Sequence, residues 1–347
     1  MFKFRERAPQ LTGRWLEARI SYAIDRGLGL LPPPQPHILV TGFWRSGTTW
    51  LQEALADALH AKTIFEPCSV KALPPFNCLA RFPGRDLATQ EAYMPLGFSS
   101  FERSDLKFLD GVFSGYCYSN FTFECRRSVR EAFRRKVIIK LVRAPFLIAS
   151  LLQRYQIRGI HIARHPCAVV QSLVHAKWDW TFEQVKFRHI FPTTAEVPPN
   201  LRQDLEVLMR YDQRPGFERI AAYWAFTEKH VAKIRSERFT KVAYEALVKR
   251  GPTLFPKLVK FAGGNPRVSL NLEKPSTQTA PERKCISGFE RTDSWRRSLD
   301  PAMRDRIEEV VSDLWPEGLC DFQDLAEEGM RRPKPAFPEL APIARNS

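Results

Sequence analysis

The sequence lacks any apolar run approaching the roughly 20 residues that cross a bilayer, and its first residues contain no apolar core of the signal-peptide type. None of its seven cysteines forms a C-x-x-C pair, which argues against a zinc site and a disulfide framework. Acidic residues are in deficit, since 38 Asp and Glu stand against 53 Lys and Arg. We therefore expect a cytoplasmic protein with reduced thiols, no metal site and anionic partners.

The 347 residues divide into three segments. Residues 1–36 contain a predicted helix over about 11–24 and a proline-rich linker, which cannot continue a helix. The helix either packs on the core or lies on a membrane surface, because arginines flank its apolar residues. Residues 37–320 are predicted to form one domain, and residues 321–347 a tail. Loop-rich insertions at about 67–135 and 180–216 are expected to bind the acceptor substrate, since long loops in compact domains are commonly functional.

Residues 37–320 alternate β-type apolar runs with helical periodicity. This order predicts an α/β fold of three layers, with a central parallel sheet and helices on both faces. We predict strands at 37–43, 63–65, 136–141, 159–164 and 239–244. We predict helices at 47–60, 146–155, 167–178, 217–235, 254–263 and 301–314, with residues 265–297 mostly in loops.

The stretch ILVTGFWRSGTTW (38–50) has the form of a phosphate-binding loop. A β-type run leads into Gly42 and Gly47, which are separated by four residues as in a P-loop, and a helical pattern follows. Thr48 stands where a nucleotide hydrolase has its lysine, and the cation is Arg45 inside the loop. The loop therefore indicates a phosphate site but disfavours ATP or GTP chemistry.

The stretch IHIARHPCAVVQSL (160–173) predicts a second anion site. A strand ends in Arg164, and Ser172 follows two turns into the next helix. A magnesium-dependent hydrolase would need an aspartate at such a strand end, whereas a guanidinium favours an anion. The alternative is a surface ion pair. Taken with the first loop, this motif indicates a nucleotide that carries two separate phosphates.

The two motifs, RSGTTW (45–50) and RHPCAVVQS (164–172), resemble the signature elements of sulfotransferases that use 3′-phosphoadenosine-5′-phosphosulfate (PAPS). The resemblance covers about residues 37–315 and implies a P-loop-containing fold, PAPS as co-substrate, 3′,5′-bisphosphoadenosine (PAP) as product, and no metal. It implies that the 3′-phosphate is bound by Arg164 and Ser172, and that Trp50 lies beside the adenine. It assigns the 5′-phosphosulfate to Arg45, Ser46, Gly47, Thr48 and Thr49.

Further segments agree with the resemblance. The strand VIIKL (137–141) implies a role near the reacting group for Lys140, and VAYEALV (242–248) implies adenine binding by Tyr244. The segment at 283–297 is similar to the part of the family that closes over the 3′-phosphate, although the contiguous Arg-Lys-Gly is absent. Its candidates are Arg283, Lys284, Ser287, Gly288 and Arg291. Arg45, in place of a lysine, resembles the carbohydrate-directed and bacterial branch.

The catalytic base departs from the cytosolic small-molecule branch, whose histidine position is occupied here by Val142. The resemblance to carbohydrate and bacterial members implies Glu66 instead, since a positioned carboxylate can accept the proton of an attacking hydroxyl. The alternative for Glu66 is an ordinary ion-pair partner. Arg45 and Lys140 are expected to stabilise charge on the leaving oxygen. Further candidates for the base are His175, His165 and Glu124, whereas His161 is expected in the core.

The sequence therefore predicts metal-independent transfer of a sulfuryl group from PAPS to a hydroxyl acceptor, which can be a carbohydrate, a glycolipid or a small alcohol. One alternative is a P-loop small-molecule kinase, which Thr48 disfavours. Another is a non-catalytic binder of nucleic acid or anionic polymer. The basic residues are scattered, and the only dense run, RRSVREAFRRK (126–136), is predicted to be a solvated helix face. No nucleic-acid partner is expected, whereas peripheral membrane contact remains compatible with the N-terminal helix.

Overall fold

The structure is a computed structural model, and it describes part of the chain. The described residues are 11–28, 36–69, 91–98, 101–115, 121–123, 125, 128–176, 185–191, 197–267, 276–277, 288–328 and 330–331.

A single sheet organises these residues, with the strand order β2-β3-β1-β4-β5-β6. The first five strands of that order are parallel, which confirms the predicted parallel sheet, and the two-residue β6 adds an unpredicted antiparallel edge. The bounds are β1 His37–Thr41, β2 Lys62–Phe65, β3 Val137–Lys140, β4 Ile157–Ala163, β5 Phe239–Ala243 and β6 Met330–Arg331.

Both faces of the sheet are covered. Ile38 and Val40 of β1 point into one apolar core and Leu39 points into another, and all three are fully buried. Strands buried on both faces read as continuous apolar runs, which is why β1 shows no alternation in the sequence. The predicted three-layer α/β architecture is confirmed.

The helices follow the strands along the chain. Short 3₁₀ turns lie at Phe121–Phe123, Val129–Phe133, Pro145–Leu147 and Arg210–Gln213. The α-helices are α1 Leu11–Leu28, α2 Thr48–Ala58, α3 Arg103–Phe113, α4 Ile148–Arg154, α5 Pro166–His175, α6 Phe187–Ile190, α7 Pro199–Met209, α8 Gly216–Ala232, α9 Tyr244–Phe261, α10 Gly288–Ser298, α11 Pro301–Leu314 and α12 Gly318–Glu328. None of them is long and apolar enough to cross a membrane.

The prediction was wrong around β5. The strand ends at Ala243, and Tyr244 already belongs to α9, which begins ten residues before the predicted helix. Helix α9 contains a kink, because Arg250 has non-helical backbone angles, φ −125° and ψ 26°. Pro252 lies just after the kink, and a proline inside a helix removes a backbone hydrogen bond and crowds the preceding turn.

Several segments predicted as irregular contain helices. Helix α3 lies within residues 67–135 and α7 within 180–216, and α10 begins within 265–297 and ends one residue beyond it. Helix α12 crosses the position 320/321 at which the tail was predicted to begin. Within the basic run 126–136, the structure has a short 3₁₀ turn, Val129–Phe133, instead of the predicted α-helix.

Candidate active site

The loop between β1 and α2 depends on its two glycines. A Cβ atom on Gly42 would lie 2.5 Å from the carbonyl oxygen of Ile162, so the loop packs directly against the backbone of β4. Gly47 has φ +92°, and a Cβ there would lie 2.7 Å from the ring of Tyr244. Any other residue at either position would force the loop to move, since the left-handed region and such close contacts favour glycine.

The loop leaves the N-terminus of α2 open. Helix α2 begins at Thr48, and Gly47 before it offers no side-chain cap to the first N–H groups of the helix. The hydroxyl of Ser46 is fully buried and has no hydrogen-bond partner among the residues that the structure describes, while Thr48 and Thr49 are also buried. Uncapped N–H groups, the positive end of the helix dipole and an unsatisfied hydroxyl together provide the chemistry of a phosphate site.

The second motif is joined to this loop by hydrogen bonds. Arg164 follows β4 directly, and its Nη1 donates to the backbone carbonyl of Arg45 over 3.0 Å. Arg45 in turn donates from Nε to the hydroxyl of Ser172 on α5 over 3.1 Å. Arg45 was predicted to serve the first loop, but its side chain contacts the serine of the second motif. The two predicted phosphate sites therefore share Arg45.

The residues implied to bind adenine lie together. Trp50 and Tyr244 form an edge-to-face pair with ring centroids 5.6 Å apart. The guanidinium carbon of Arg164 lies 4.9 Å from the centroid of the Tyr244 ring. Trp224 of α8, which the sequence did not single out, donates from Nε1 to the carbonyl of Arg164 over 3.1 Å and fixes the start of the motif.

A buried carboxylate lies beside this cluster, and the sequence did not indicate it. Glu245 follows Tyr244, and its Oε1 accepts a hydrogen bond from the N–H of His165 over 3.1 Å. Its Oε2 is buried, and within the described part of the chain it has no hydrogen-bond partner. Burial raises the pKa of Glu245, against the opposing effect of the nearby Arg164 charge. The only available sequence signal was the position of Glu245 directly after a predicted adenine-binding tyrosine.

Helix α10 is held next to the second motif. Trp295 stacks on the imidazole of His165 with centroids 4.3 Å apart and planes inclined by 14°. Burial, assisted by neighbouring arginine charges, lowers the pKa of His165 to about 3, so the ring is neutral at physiological pH. Of the five C-terminal candidates, Gly288 is the first residue of α10 and Arg291 lies in its first turn. The other three, Arg283, Lys284 and Ser287, lie outside the described residues.

Glu66 forms a second cluster at the ends of β2 and β3. Its Oε1 lies 3.0 Å from Nζ of Lys140, and its Oε2 lies 3.6 Å from Nη1 of Arg143. Both carboxylate oxygens accept from the N–H of Val142, at 3.1 and 3.2 Å. All of these side chains are buried, and Glu66 has a left-handed backbone with φ +43°. Glu66 is therefore an ion-pair partner, as the alternative interpretation held, while its role as a base stays a prediction.

The other candidates for the base have different surroundings. His165 is packed between aromatic rings, and its Nδ1 accepts from the N–H of Cys167. His175 is exposed at the end of α5, and Glu124 lies outside the described residues. His161 is fully buried, as expected, and bridges Thr41 at 2.9 Å to a carboxylate of α8 at 2.9 Å.

The loop that begins at Gly42, and the residues Glu66, Arg164 and Tyr244, each directly follow the carboxyl end of a parallel strand. Strand β1 lies between β3 and β4. After β1 the chain continues to β2 on one side of the sheet, and after β4 it continues to β5 on the other side. Open α/β sheets bind ligands at such a switch point. Within the described part of the chain, no cluster of His, Cys, Asp or Glu side chains is arranged to hold a metal ion. The fold thus defines a P-loop-type α/β protein, and its candidate anion-binding groups lie together at this edge of the sheet.

The family follows from comparison with known proteins. The family model described as "Sulfotransferase domain" matches residues 35–321, and the chain belongs to the sulfotransferase family. The class of enzyme is therefore that of a sulfotransferase. No curated protein sequence matches the chain.

Solved structures of sulfotransferases are similar to it at low identity. The sulfotransferase from Alicyclobacillus acidocaldarius shares 13% identity over 83% of this chain and 96% of its own, with a TM-score of 0.43. The sulfotransferase domain from the curacin biosynthetic pathway shares 14% over 82% and 98%, with a TM-score of 0.41. Mouse sulfotransferase SULT7A1, crystallised with PAP, shares 14% over 89% and 96%, with a TM-score of 0.39.

Proposed function

We propose that the protein transfers the sulfuryl group of PAPS to a hydroxyl group of a carbohydrate, a glycolipid or a small alcohol. The observation that carries the proposal is the chain of contacts from Arg164 through Arg45 to Ser172. It connects the two proposed anion sites, and this supports a nucleotide with a phosphate on each end. Family membership supports the transfer chemistry.

The residues present fit such a nucleotide. The orphaned hydroxyl of Ser46 and the uncapped start of α2 would hold the 5′-phosphate group, with Thr48 and Thr49. Arg164 and Ser172 would hold the 3′-phosphate, since a guanidinium forms strong charge-assisted hydrogen bonds with phosphate. In the same proposal, Gly288 and Arg291 assist from α10, as do Arg283, Lys284 and Ser287 from the segment before it.

The aromatic pair would bind the base of the nucleotide. Trp50 and Tyr244 already touch, and the ring of Tyr244 lies against Gly47, one residue before α2. An adenine stacked on either ring would therefore lie next to the phosphate-binding turn. Stacking of a base on an aromatic side chain contributes about 1–3 kcal/mol.

Charge stabilisation would come from cations at the strand ends. PAPS supplies the sulfuryl group: the acceptor oxygen forms a bond to sulfur, the bond from sulfur to the 5′-phosphate oxygen breaks, and PAP leaves. Arg45, Lys140 and the N-terminus of α2 would stabilise the negative charge on that departing oxygen. Lys140 lies on β3 opposite Val40, two residues before the loop begins, so its side chain starts close to the loop.

Glu66 is the proposed acceptor of the hydroxyl proton. Lys140 and Arg143 flank its carboxylate and hold it in place at the ends of β2 and β3. Arg143 would also orient the carboxylate, because its Nε is anchored on the carbonyl of Glu91 at 3.0 Å.

The experiment that tests the function is transfer from ³⁵S-labelled PAPS to a panel of sugars, glycolipids and small alcohols in excess EDTA. We expect labelled product and an equal amount of PAP, with no loss of turnover in EDTA. Arg164→Ala is the matched negative control, since it removes the proposed 3′-phosphate contact. Transfer of phosphate from ATP in place of sulfate from PAPS would contradict the proposal and favour a kinase, and binding of neither nucleotide would favour a non-catalytic anion binder.

A further inference from the structure

Helix α1 has an unusual polarity. Among its described side chains, the buried ones are Ser21 and Asp25, whereas Ile20 and Ala23 face solvent, with Ile20 43% exposed. An ordinary surface helix buries its apolar side and exposes its polar side. Here Asp25, on the buried side, accepts a hydrogen bond from Nζ of Lys62 at 2.6 Å, and Ile20 lies on the solvent side. Ile20 is therefore an exposed apolar side chain of α1.

A second exposed apolar side chain lies on the element that packs against α1. The 3₁₀ turn Val129–Phe133 contacts α1, and Nζ of Lys62 reaches the carbonyl of Ala132 at 3.4 Å while it also binds Asp25. The next residue, Phe133, is 63% exposed, more than any other large apolar side chain that the structure describes. We use the name outer face for the exposed side chains of α1 and of this turn, which include Ile20 and Phe133.

The outer face is strongly basic. Among the described side chains of this face, the exposed carboxylate is Glu17. Its exposed cations are Arg19 and Arg26 on α1, and Arg130 and Arg135 on and after the turn. Guanidinium groups around protruding apolar tips match the chemistry of an anionic bilayer surface, where the tips enter the boundary with the acyl chains and the cations meet the headgroups. A nucleic acid would use the cations but would offer nothing to the apolar tips.

We propose that the outer face docks on an anionic phospholipid bilayer, with Ile20 and Phe133 inserted into its interface. The face adjoins the amino ends of the sheet, because Lys62 is the first residue of β2 and the turn precedes β3. The candidate active site lies at the opposite, carboxyl ends of the strands. A docked molecule would thus present its active site to the aqueous side and would take its acceptor from there.

The experiment is co-sedimentation of the full chain with vesicles of phosphatidylcholine alone and of phosphatidylcholine with about 30% phosphatidylserine. We expect binding to the anionic vesicles, little binding to the neutral ones, and a clear loss of binding when the salt is raised from about 0.1 M to about 0.5 M. Equal binding to both vesicles, or binding to neither, would overturn the proposal.

A double variant tests the face itself. Ile20→Asp with Phe133→Asp should lower binding to anionic vesicles by about tenfold or more, because both insertion points become charged. Val174→Asp, at an apolar side chain of α5 that is 37% exposed, is the matched control and should change vesicle binding less than about twofold. Unchanged thermal unfolding verifies that both variants fold. Undiminished binding of the double variant would overturn the proposal. The proposal would also be overturned if the double substitution converted a dimer to a monomer without changing vesicle binding. The outer face would then be an interface between two copies of the chain.

Discussion

Replacing Arg164 by alanine should weaken the binding of a nucleotide that carries a 3′-phosphate much more than the binding of one that lacks it. If the guanidinium donates two charge-assisted hydrogen bonds to the 3′-phosphate, each contributes about 1.5 kcal/mol, and their loss weakens PAP binding by about 100-fold beyond any loss that PAP shares with adenosine 5′-monophosphate. Adenosine 5′-monophosphate has no 3′-phosphate. It should lose only about fivefold, because the variant also deletes the hydrogen bond to the carbonyl of Arg45, which contributes about 1 kcal/mol to the shape of the loop.

Isothermal titration of both nucleotides measures this difference. The matched control is Arg158→Ala, at the other end of the same strand, where Nη1 donates to the carbonyl of Phe261 and no nucleotide contact is proposed. It should leave both affinities within about twofold. Arg164→Lys should fall between wild type and alanine, because it keeps the charge but not the fork of donors. Equal losses of PAP and adenosine 5′-monophosphate in Arg164→Ala would refute the assignment of Arg164 to the 3′-phosphate.

Three further predictions follow. Glu66→Gln should lower kcat by about 100-fold or more while the Kd for PAP changes little; rapid turnover in this variant would place the base elsewhere. Gly47→Ala should destabilise the fold by about 1–3 kcal/mol and weaken PAP binding, because φ is +92° and the new Cβ would meet Tyr244; denaturant unfolding and titration check both effects, and unchanged values would contradict the account of the loop. Acidification below pH 6.5 should lower stability, since the pKa of His37 is about 4 and that of His165 about 3 when folded, so the unfolded chain binds protons that the folded chain does not. Each histidine contributes about 1.4 kcal/mol per pH unit, and His165→Phe should flatten the pH profile of denaturant unfolding by that amount; an identical slope would show that His165 does not titrate as stated.

The sequence was sufficient for features set by local geometry. The strand, turn and helix around Gly42 and Gly47 follow from an apolar run, the glycine spacing and a helical pattern, all within 20 residues. The placement of Arg164 at the end of a strand was predictable for the same reason. The contact between Arg45 and Ser172 was not, because it joins residues 127 positions apart and depends on the order of strands in the sheet.

Helix prediction failed where tertiary contacts decide the structure. Helix α10 is polar almost throughout, and the apolar periodicity that would indicate it is missing. Its Trp295 stacks on the ring of His165, which is distant in the sequence. Helix α3 did carry a local signal, since Glu102 and Asp105 form a capping box at its start, but Asp110 and Gly111 near its end have low helix propensity.

The boundary of β5 shows the limit of pattern reading. The apolar run around Val242 continues without interruption into α9, so a buried strand and the first turn of a buried helix look alike. The helix begins at Tyr244 and places this ring beneath Arg164 and against Gly47. The residue assignment made from the resemblance was independent of this error, because it rested on the tyrosine and not on the type of element that carries it.

A crystal structure with PAP bound is the most direct test of the central claim. The account predicts the 5′-phosphate at the start of α2 within hydrogen-bond distance of the loop from Arg45 to Thr49, and the 3′-phosphate against Arg164 and Ser172. A nucleotide bound away from both groups, or with its two phosphates on one of them, would contradict it.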